Sequence, residues 1–308
     1  MSNQPILVTG AHRSGTTWVG KILSASGEAA YISEPLNVWH RPGVMRAPVK
    51  YWYHYINEQN EGEFLAAFQE TLRFNYHHWL EFRSLRSRKD ILRMGRDAWT
   101  FTLGILRRQR PLLKDPFAVF SAPWFYKRLG CQVVITLRHP AAFASSLKRQ
   151  NWLFDFKDFL AQDLLMKDWL QPFKSDMEAS LNSPDDVISQ ASLLWRMIYY
   201  VATQLNDMQP EFILVRHEDF SLDPLERFEA LYQKLNLKFS SKAHQTILSS
   251  SSSENPGELS NKAIYATKLD SRANLQNWKK RLGALEIERI YQITQDVADR
   301  FYPDADWN

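Results

Sequence analysis

An apolar run that leads into a glycine-bracketed loop is the feature that most constrains how this chain can fold. The loop, residues 10–17, reads GAHRSGTT, and Pro5–Thr9 before it suits a buried parallel strand. After the loop, apolar side chains recur at helical spacing at Trp18, Val19, Ile22 and Leu23. A strand, a tight turn and a helix N-terminus in this order form an anion-binding site, because the first N–H groups of the helix are free and its dipole favours negative charge.

The loop has the spacing of a phosphate-binding P-loop, G-x-x-x-x-G-K-[ST], in which backbone N–H groups hold phosphates and a lysine reaches the terminal phosphoryl group. Both glycines are in register, but Thr16 stands where the lysine belongs, and Thr17 follows it. The sequence therefore predicts a phosphorylated nucleotide that is bound for a purpose other than phosphoryl transfer.

Apolar runs separated by helical segments predict the fold class. The predicted strands are Ile6–Thr9, Leu112–Lys114, Val133–Leu137 and Phe212–Arg216, with a further short candidate at Ala30–Ser33. The predicted amphipathic helices are Glu63–Phe82, Gln190–Leu205 and Leu285–Phe301. This alternation implies an α/β fold, in which a central parallel sheet is flanked by helices, as in P-loop NTPases and nucleotide kinases. We expect one domain over residues 1–308, with a mobile loop at 249–262, where a serine tract precedes Glu-Asn-Pro-Gly.

Composition narrows the class of protein. A hydrophobic share of 44% and a charged share of 23% are ordinary for a globular protein and provide ample material for a core. The single cysteine, Cys131, precedes an apolar run, which predicts a buried structural thiol. The sequence shows no signal peptide and no apolar stretch of membrane-spanning length, so we expect a cytoplasmic protein. A net charge of +4 permits an anionic ligand or surface but does not argue for nucleic acid.

A second candidate phosphate site follows the run that ends at Leu137. Pro140 suits the first position of a helix, which places Arg138 at the carboxyl end of a strand, where doubly wound sheets bind ligands. An arginine there can donate two hydrogen bonds to a phosphate, and Ser146 on the helix can add one. By itself the arginine would be interpreted as a surface ion pair.

Five motifs in order give the chain its resemblance to a family. They are His12–Trp18 (HRSGTTW), Leu112–Pro116 (LLKDP), Arg138 with Ser146, Val215–Phe220 (VRHEDF) and Asn277–Lys280 (NWKK). With them the chain resembles the sulfotransferases that use 3′-phosphoadenosine 5′-phosphosulfate (PAPS). With the strand that precedes the first motif, the match extends from residue 6 to about residue 280, so the resemblance covers nearly the whole chain.

The resemblance implies a donor site made of two phosphate-binding parts. The first part would hold the 5′-phosphosulfate, and its residues are Arg13, Ser14, Gly15, Thr16, Thr17 and Trp18. Arg138 and Ser146 would bind the 3′-phosphate. Arg272, Lys279 and Lys280 would either close over it from the C-terminal segment or belong to an ordinary charged surface. His217 takes the place of a tyrosine that approaches the adenine in the family.

The resemblance also implies catalytic residues. Arg13 and Lys114 would supply fixed positive charge to the sulfonate and the leaving phosphate. The histidine base of relatives that act on phenols and steroids is replaced by Pro116. Glu34 instead matches the glutamate base of carbohydrate-type relatives. Two alternatives stay open: Lys114 could pair with Asp115, and Glu34 could cap a helix or a turn.

The implied reaction is in-line transfer of a sulfonate from PAPS to an acceptor hydroxyl or amine, with adenosine 3′,5′-bisphosphate as the other product and no metal. The Glu34 pattern favours a carbohydrate or glycolipid acceptor. Clustered aromatic residues suit a sugar or a hydrophobic natural product equally, or else belong to the core: Trp39, Tyr51, Trp52, Tyr53 and Tyr55. The competing hypotheses are a P-loop kinase of a small metabolite and a non-catalytic nucleotide-binding module.

Overall fold

The computed structural model describes residues 4–182, 186–258, 268–303 and 307. Its central sheet contains five parallel strands: β1 (Ile6–Gly10), β2 (Ala29–Ser33), β3 (Arg110–Lys114), β4 (Gln132–Leu137) and β5 (Ile213–Arg216). Their spatial order is β2-β3-β1-β4-β5. Each strand predicted from the sequence is confirmed, with ends that differ by one or two residues.

The helices connect the strands and continue beyond the last one. They are α1 (Thr16–Ser24), α2 (Gly62–Leu72), α3 (His78–Ser84), α4 (Arg88–Leu106), α5 (Ala122–Leu129), α6 (Pro140–Gln150), α7 (Lys157–Leu160), α8 (Asp163–Leu165), α9 (Lys174–Leu181), α10 (Val187–Met208), α11 (His217–Leu222), α12 (Pro224–Lys234), α13 (Ser241–Ser251), α14 (Ser271–Leu275), α15 (Asn277–Arg281) and α16 (Ala284–Ala298). Short 3₁₀ or π turns lie at Pro116–Ser121, Met166–Leu170 and Gln171–Phe173. In the part of the chain described, no helix has the length and apolar character that crossing a membrane requires.

The core lies on both faces of the sheet, because successive side chains of a strand point to opposite faces. On β1, Leu7 belongs to one buried cluster, whereas Ile6 and Val8 belong to the other. The first cluster includes Cys131, which is 1% exposed, as the sequence predicted. Burial on both faces explains why the strands appear in the sequence as continuous apolar runs.

The strand order places the functional loops. From β1 the chain moves to β2 on one side of the sheet, and from β4 it moves to β5 on the other. Ligands of open α/β sheets bind where the order reverses in this way, at the carboxyl ends of the strands. The loops that follow β1 and β4 therefore meet at the expected binding crevice.

One predicted helix is wrong. The segment Glu63–Phe82 forms two helices, because α2 ends at Leu72 and α3 begins at His78. Between them Phe74 adopts a positive φ of 59°. A Cβ on Gly104 of α4 would lie 2.7 Å from the ring of Phe74, so only glycine there leaves room for that ring. The helix thus breaks at a tertiary contact, where the periodicity predicted a continuous helix.

The serine tract is also more regular than its composition suggested. Helix α13 continues through Ser251, and the hydroxyl groups of Ser250 and Ser251 donate back to the carbonyl of Ile247 at 3.1 and 2.8 Å. Serine hydroxyls can therefore be satisfied within the helix itself. Of the predicted mobile loop at 249–262, residues 259–262 lie outside the described residues.

Candidate active site

The loop between β1 and α1 holds an unusual backbone conformation. Gly10 and Gly15 have φ values of 140° and 94°, and Arg13 also has a positive φ, 66°. A positive φ is uncommon for a residue with a side chain and points to a functional constraint. No side chain among the described residues caps α1 at Gly15. The N–H groups of the first turn of α1 are therefore available to an anion.

The hydroxyl of Ser14 serves the turn itself. It donates to the carbonyl of Ala11, lies 2.7 Å from Oγ1 of Thr136, and leaves Ser14 only 1% exposed. Ser14 was expected to hold the 5′-phosphosulfate with the rest of the loop, but its hydroxyl is engaged by Ala11 and Thr136. Thr16 and Thr17, in contrast, line the cavity above the loop.

The two candidate phosphate-binding parts meet at Arg13. Its Nε donates to Oγ of Ser146 at 3.1 Å, and its carbonyl accepts from Nη1 of Arg138 at 2.9 Å. Nε of Arg138 is buried and has no hydrogen-bond partner among the described residues. Helix α6 begins at Pro140, as predicted, and this brings Ser146 to the loop after β1. The structure therefore joins residues that are more than 120 positions apart in the sequence.

Glu34 lines a cavity of about 760 Å³ together with Arg13, Arg138 and the first turn of α1. It follows β2 directly and has a positive φ of 49°. One carboxylate oxygen accepts from the ammonium of Lys114, and the other accepts from Nδ2 of Asn37 at 2.8 Å. The partners of the Glu34 carboxylate are thus side chains, whereas the alternative left open by the sequence, a helix or turn cap, would require backbone N–H groups. A carboxylate offers about four lone-pair sites, so Glu34 keeps the capacity to accept a proton.

Lys114 is buried beside this carboxylate, with 3% of its side chain exposed. Burial lowers its pKa, but the effects of Tyr31 and Glu34 oppose burial, and the net shift is upward. Lys114 is thus a protonated partner of Glu34. Asp115, the alternative partner, accepts instead from two backbone N–H groups, and burial raises its pKa to about 7.

Comparison with known proteins places the chain in a family. The family model of the sulfotransferase domain matches residues 3–301. The chain belongs to the sulfotransferase family. This sulfotransferase is similar to the sulfotransferase domain from the curacin biosynthetic pathway, with 14% identity, 96% of both chains covered and a TM-score of 0.50. No curated protein matches the sequence significantly.

Two further solved structures show weaker similarity to this sulfotransferase. A sulfotransferase from Mycobacterium avium is 13% identical, with 98% of this chain and 78% of that chain covered and a TM-score of 0.47. A mouse sulfotransferase complexed with PAP is 10% identical, with 99% and 88% covered and a TM-score of 0.41. The family match confirms the resemblance stated from the motifs, and the curacin-pathway structure supports the predicted α/β fold.

Aromatic side chains form one wall of the cavity in the sulfotransferase. Trp52 packs on Phe117 with ring centroids 4.7 Å apart, and Trp39 meets Trp52 edge to face at 5.2 Å. Trp152 lies under the guanidinium of Arg13, 5.7 Å from its ring centroid. Trp39 and Trp52 belong to the aromatic cluster noted in the sequence, whereas Phe117 and Trp152 were missed.

The other members of that sequence cluster serve different purposes. Tyr53 is fully buried, and its hydroxyl lies 2.8 Å from Nδ1 of His12. Tyr55 donates to Asp168 at 2.9 Å, away from this cavity. Tyr51 lines a separate small pocket. The core interpretation is thus correct for Tyr53, and the acceptor-site hypothesis remains for the two tryptophans.

His217 occupies the side of the cavity next to Trp18. The two rings meet edge to face at 5.7 Å, and Nε1 of Trp18 donates to Oγ of Ser250 at 3.0 Å. Burial, and secondarily the charge of Arg138, lower the pKa of His217 to about 3. The imidazole is therefore neutral at physiological pH and can stack or hydrogen-bond without adding charge.

Arg272 is not brought to the cavity. Its side chain is 71% exposed, and its guanidinium donates to the carbonyl of Leu222 at 2.8 and 3.2 Å. The basic residue of the C-terminal segment that approaches α6 is Arg281, whose Nη1 lies 3.4 Å from Oγ of Ser145. The sequence could not separate these arginines, because both lie in short helices without a clear apolar periodicity. Within the described ranges, no group of three or more metal-ligating side chains is present.

Proposed function

We propose that this sulfotransferase takes its sulfonate from PAPS and transfers it in line to an acceptor hydroxyl, with Glu34 as the general base. The observation that carries the proposal is the convergence of Arg13 and Arg138 with the first turn of α1 at one cavity, where Ser146 accepts a hydrogen bond from Arg13. Two anion-binding parts at one crevice suit a nucleotide with phosphates at both ends of its ribose.

The residues of the cavity fit such a donor. Burial lowers the pKa of Arg138, and the nearby Glu218 opposes this effect only in part. Its unpartnered Nε is a donor that a phosphate oxygen can satisfy. Only glycine fits at position 15 without a shift of His217, because a Cβ there would lie 2.8 Å from Nδ1 of that residue.

The proposed chemistry needs a base and fixed positive charge. The acceptor oxygen bonds to sulfur while the bond from sulfur to the 5′-phosphate oxygen breaks, and Glu34 takes the hydroxyl proton. Arg13 stabilises the charge that develops on the leaving phosphate. Lys114 holds Glu34 in place through their ion pair, and a direct contact of Lys114 with the sulfonate remains a prediction.

The aromatic wall and Glu34 support a carbohydrate or glycolipid acceptor, since sugars stack on aromatic rings. The test is incubation with PAPS, a chelator and panels of carbohydrates, glycolipids and phenols, followed by mass spectrometry. We expect a sulfated product and adenosine 3′,5′-bisphosphate in equal amounts. A phosphorylated product that forms only with ATP and Mg²⁺ would support the kinase hypothesis instead. A cytoplasmic location also remains a prediction.

Replacing Gly15 by alanine should weaken the binding of adenosine 3′,5′-bisphosphate at least ~10-fold, because the new Cβ meets the ring of His217. The matched control is Gly27→Ala. Gly27 has a similar φ of 85°, but a Cβ added there would have no heavy atom within 4 Å, and the residue lies outside the cavity. Both variants should lose stability through the strained φ. Calorimetric titration should find the loss of affinity only for Gly15→Ala, and equal losses would contradict the assignment of the loop.

A further inference from the structure

Helices α3 and α4 expose an unusual amount of apolar surface. Of the 15 large hydrophobic side chains that are exposed in the described residues, eight lie here: Trp79, Leu80, Phe82, Ile91, Leu92, Trp99, Ile105 and Leu106. We call these eight side chains the α3–α4 surface. Single exposed apolar side chains are normal, but a concentrated group marks an interaction site.

The geometry of α4 separates this surface from the core. Leu92, Trp99 and Leu106 recur every seven residues and therefore lie on one side of the helix. The buried residues of α4 are Phe101 and Gly104, which lie on the opposite side. Helix α4 thus has two apolar sides, and the fold as described uses only one of them.

The charges around this surface are almost all positive. Residues 79–108 contain eight exposed basic side chains: Arg83, Arg86, Arg88, Lys89, Arg93, Arg96, Arg107 and Arg108. The three acidic residues of the segment are shielded. Glu81 is fully buried, Asp90 is bound in the capping box of α4 and to Arg41, and Asp97 is half-buried. Two of the basic side chains have acidic neighbours, because Arg96 pairs with Asp97 at 2.7 Å and Arg93 lies 3.9 Å from Asp90. A partner therefore meets apolar side chains beside an excess of positive charge.

Apolar side chains beside positive charge distinguish between two possible partners of this surface, a second copy of the chain and an anionic lipid bilayer. A symmetric contact with a second copy would place the same basic residues against one another, which is unfavourable. An anionic lipid surface offers both an apolar phase for Trp, Phe and Leu and negative charge for the flanking basic side chains. We propose that the α3–α4 surface docks the enzyme onto an anionic lipid bilayer. This inference does not depend on the donor or the acceptor.

Co-sedimentation of the full chain with vesicles tests the proposal. Binding to phosphatidylcholine vesicles that contain phosphatidylglycerol should be at least ~10-fold tighter than binding to phosphatidylcholine alone, and should weaken as salt is added. The combined variant Leu92→Ser, Trp99→Ser and Leu106→Ser should lose at least ~10-fold in affinity. The matched control combines Met208→Ser, Leu248→Ser and Leu285→Ser, which replace exposed side chains elsewhere and should leave binding unchanged.

Circular dichroism establishes that each variant is folded. If the triple variant is not folded, Trp99→Ser alone is compared with the native chain for fluorescence quenching by brominated lipids, which should be smaller in the variant. Equal vesicle binding by the triple variant and its control would overturn the proposal. So would a dimer in sedimentation velocity that is lost in the triple variant while no vesicles are bound.

Discussion

Replacing Arg13 by alanine should lower kcat at least ~10²-fold, the usual cost of removing one electrostatic contact to a developing charge. The side chain is fixed for this purpose by its hydrogen bond to Ser146 and by its position over the ring of Trp152. The measurement is the release of adenosine 3′,5′-bisphosphate at saturating PAPS and acceptor, so that a change in donor affinity does not mask the change in rate.

Two control variants show whether the loss of kcat comes from the missing positive charge of Arg13 or from a general effect of replacing an arginine. Arg13→Lys keeps the positive charge and should recover part of the rate, since an ammonium cannot reproduce the fork of a guanidinium. Arg73→Ala removes an exposed arginine just after α2 and should leave kcat unchanged. A kcat for Arg13→Ala close to that of Arg73→Ala would contradict the role of Arg13.

Replacing Glu34 by glutamine should lower kcat by ~10²–10⁴-fold, the range expected for loss of a general base. The melting temperature should also fall, because the change leaves the buried ammonium of Lys114 without its carboxylate partner. Both quantities are measured on the same preparations, and Glu63→Gln, an exposed glutamate of α2, serves as the control.

A second variant tests whether the loss of stability comes from the unpaired ammonium of Lys114. In Glu34→Gln combined with Lys114→Met the unpaired charge is gone, so the melting temperature should recover while kcat stays low. If Glu34→Gln lowers the melting temperature but keeps nearly full kcat, Glu34 is a structural partner of Lys114 and the base must be sought elsewhere.

The parts of the fold that were predictable from sequence are those that depend on local patterns. The strands were correct because burial on both faces of a parallel sheet produces continuous apolar runs. The break after α2 was not predictable, because it depends on Gly104, which accommodates the ring of Phe74 from 30 positions away. Periodicity within a segment carries no information about such a contact.

In the candidate site, too, local motifs were predictable from the sequence and contacts between distant segments were not. The loop after β1 and the arginine after β4 were identifiable from motif spacing, and the structure brings them together. The pairing of Lys114 with Glu34 was missed because it follows from the order of the strands: β2 lies beside β3 in a register that places Ser33 opposite Lys114. The contact of the Ser14 hydroxyl with Thr136 has a similar cause. Gly10, at the end of β1, is in register with Thr136 of β4, so the loop that follows Gly10 lies beside Thr136.

The most direct test of the two-phosphate site is a comparison of ligands by thermal shift. Adenosine 3′,5′-bisphosphate should raise the melting temperature more than AMP or ATP does, because only the bisphosphate engages both the loop after β1 and Arg138. The variant Arg138→Ala should abolish the advantage of the bisphosphate over AMP. If the bisphosphate stabilises the native protein no better than AMP does, the assignment of PAPS as the donor is contradicted.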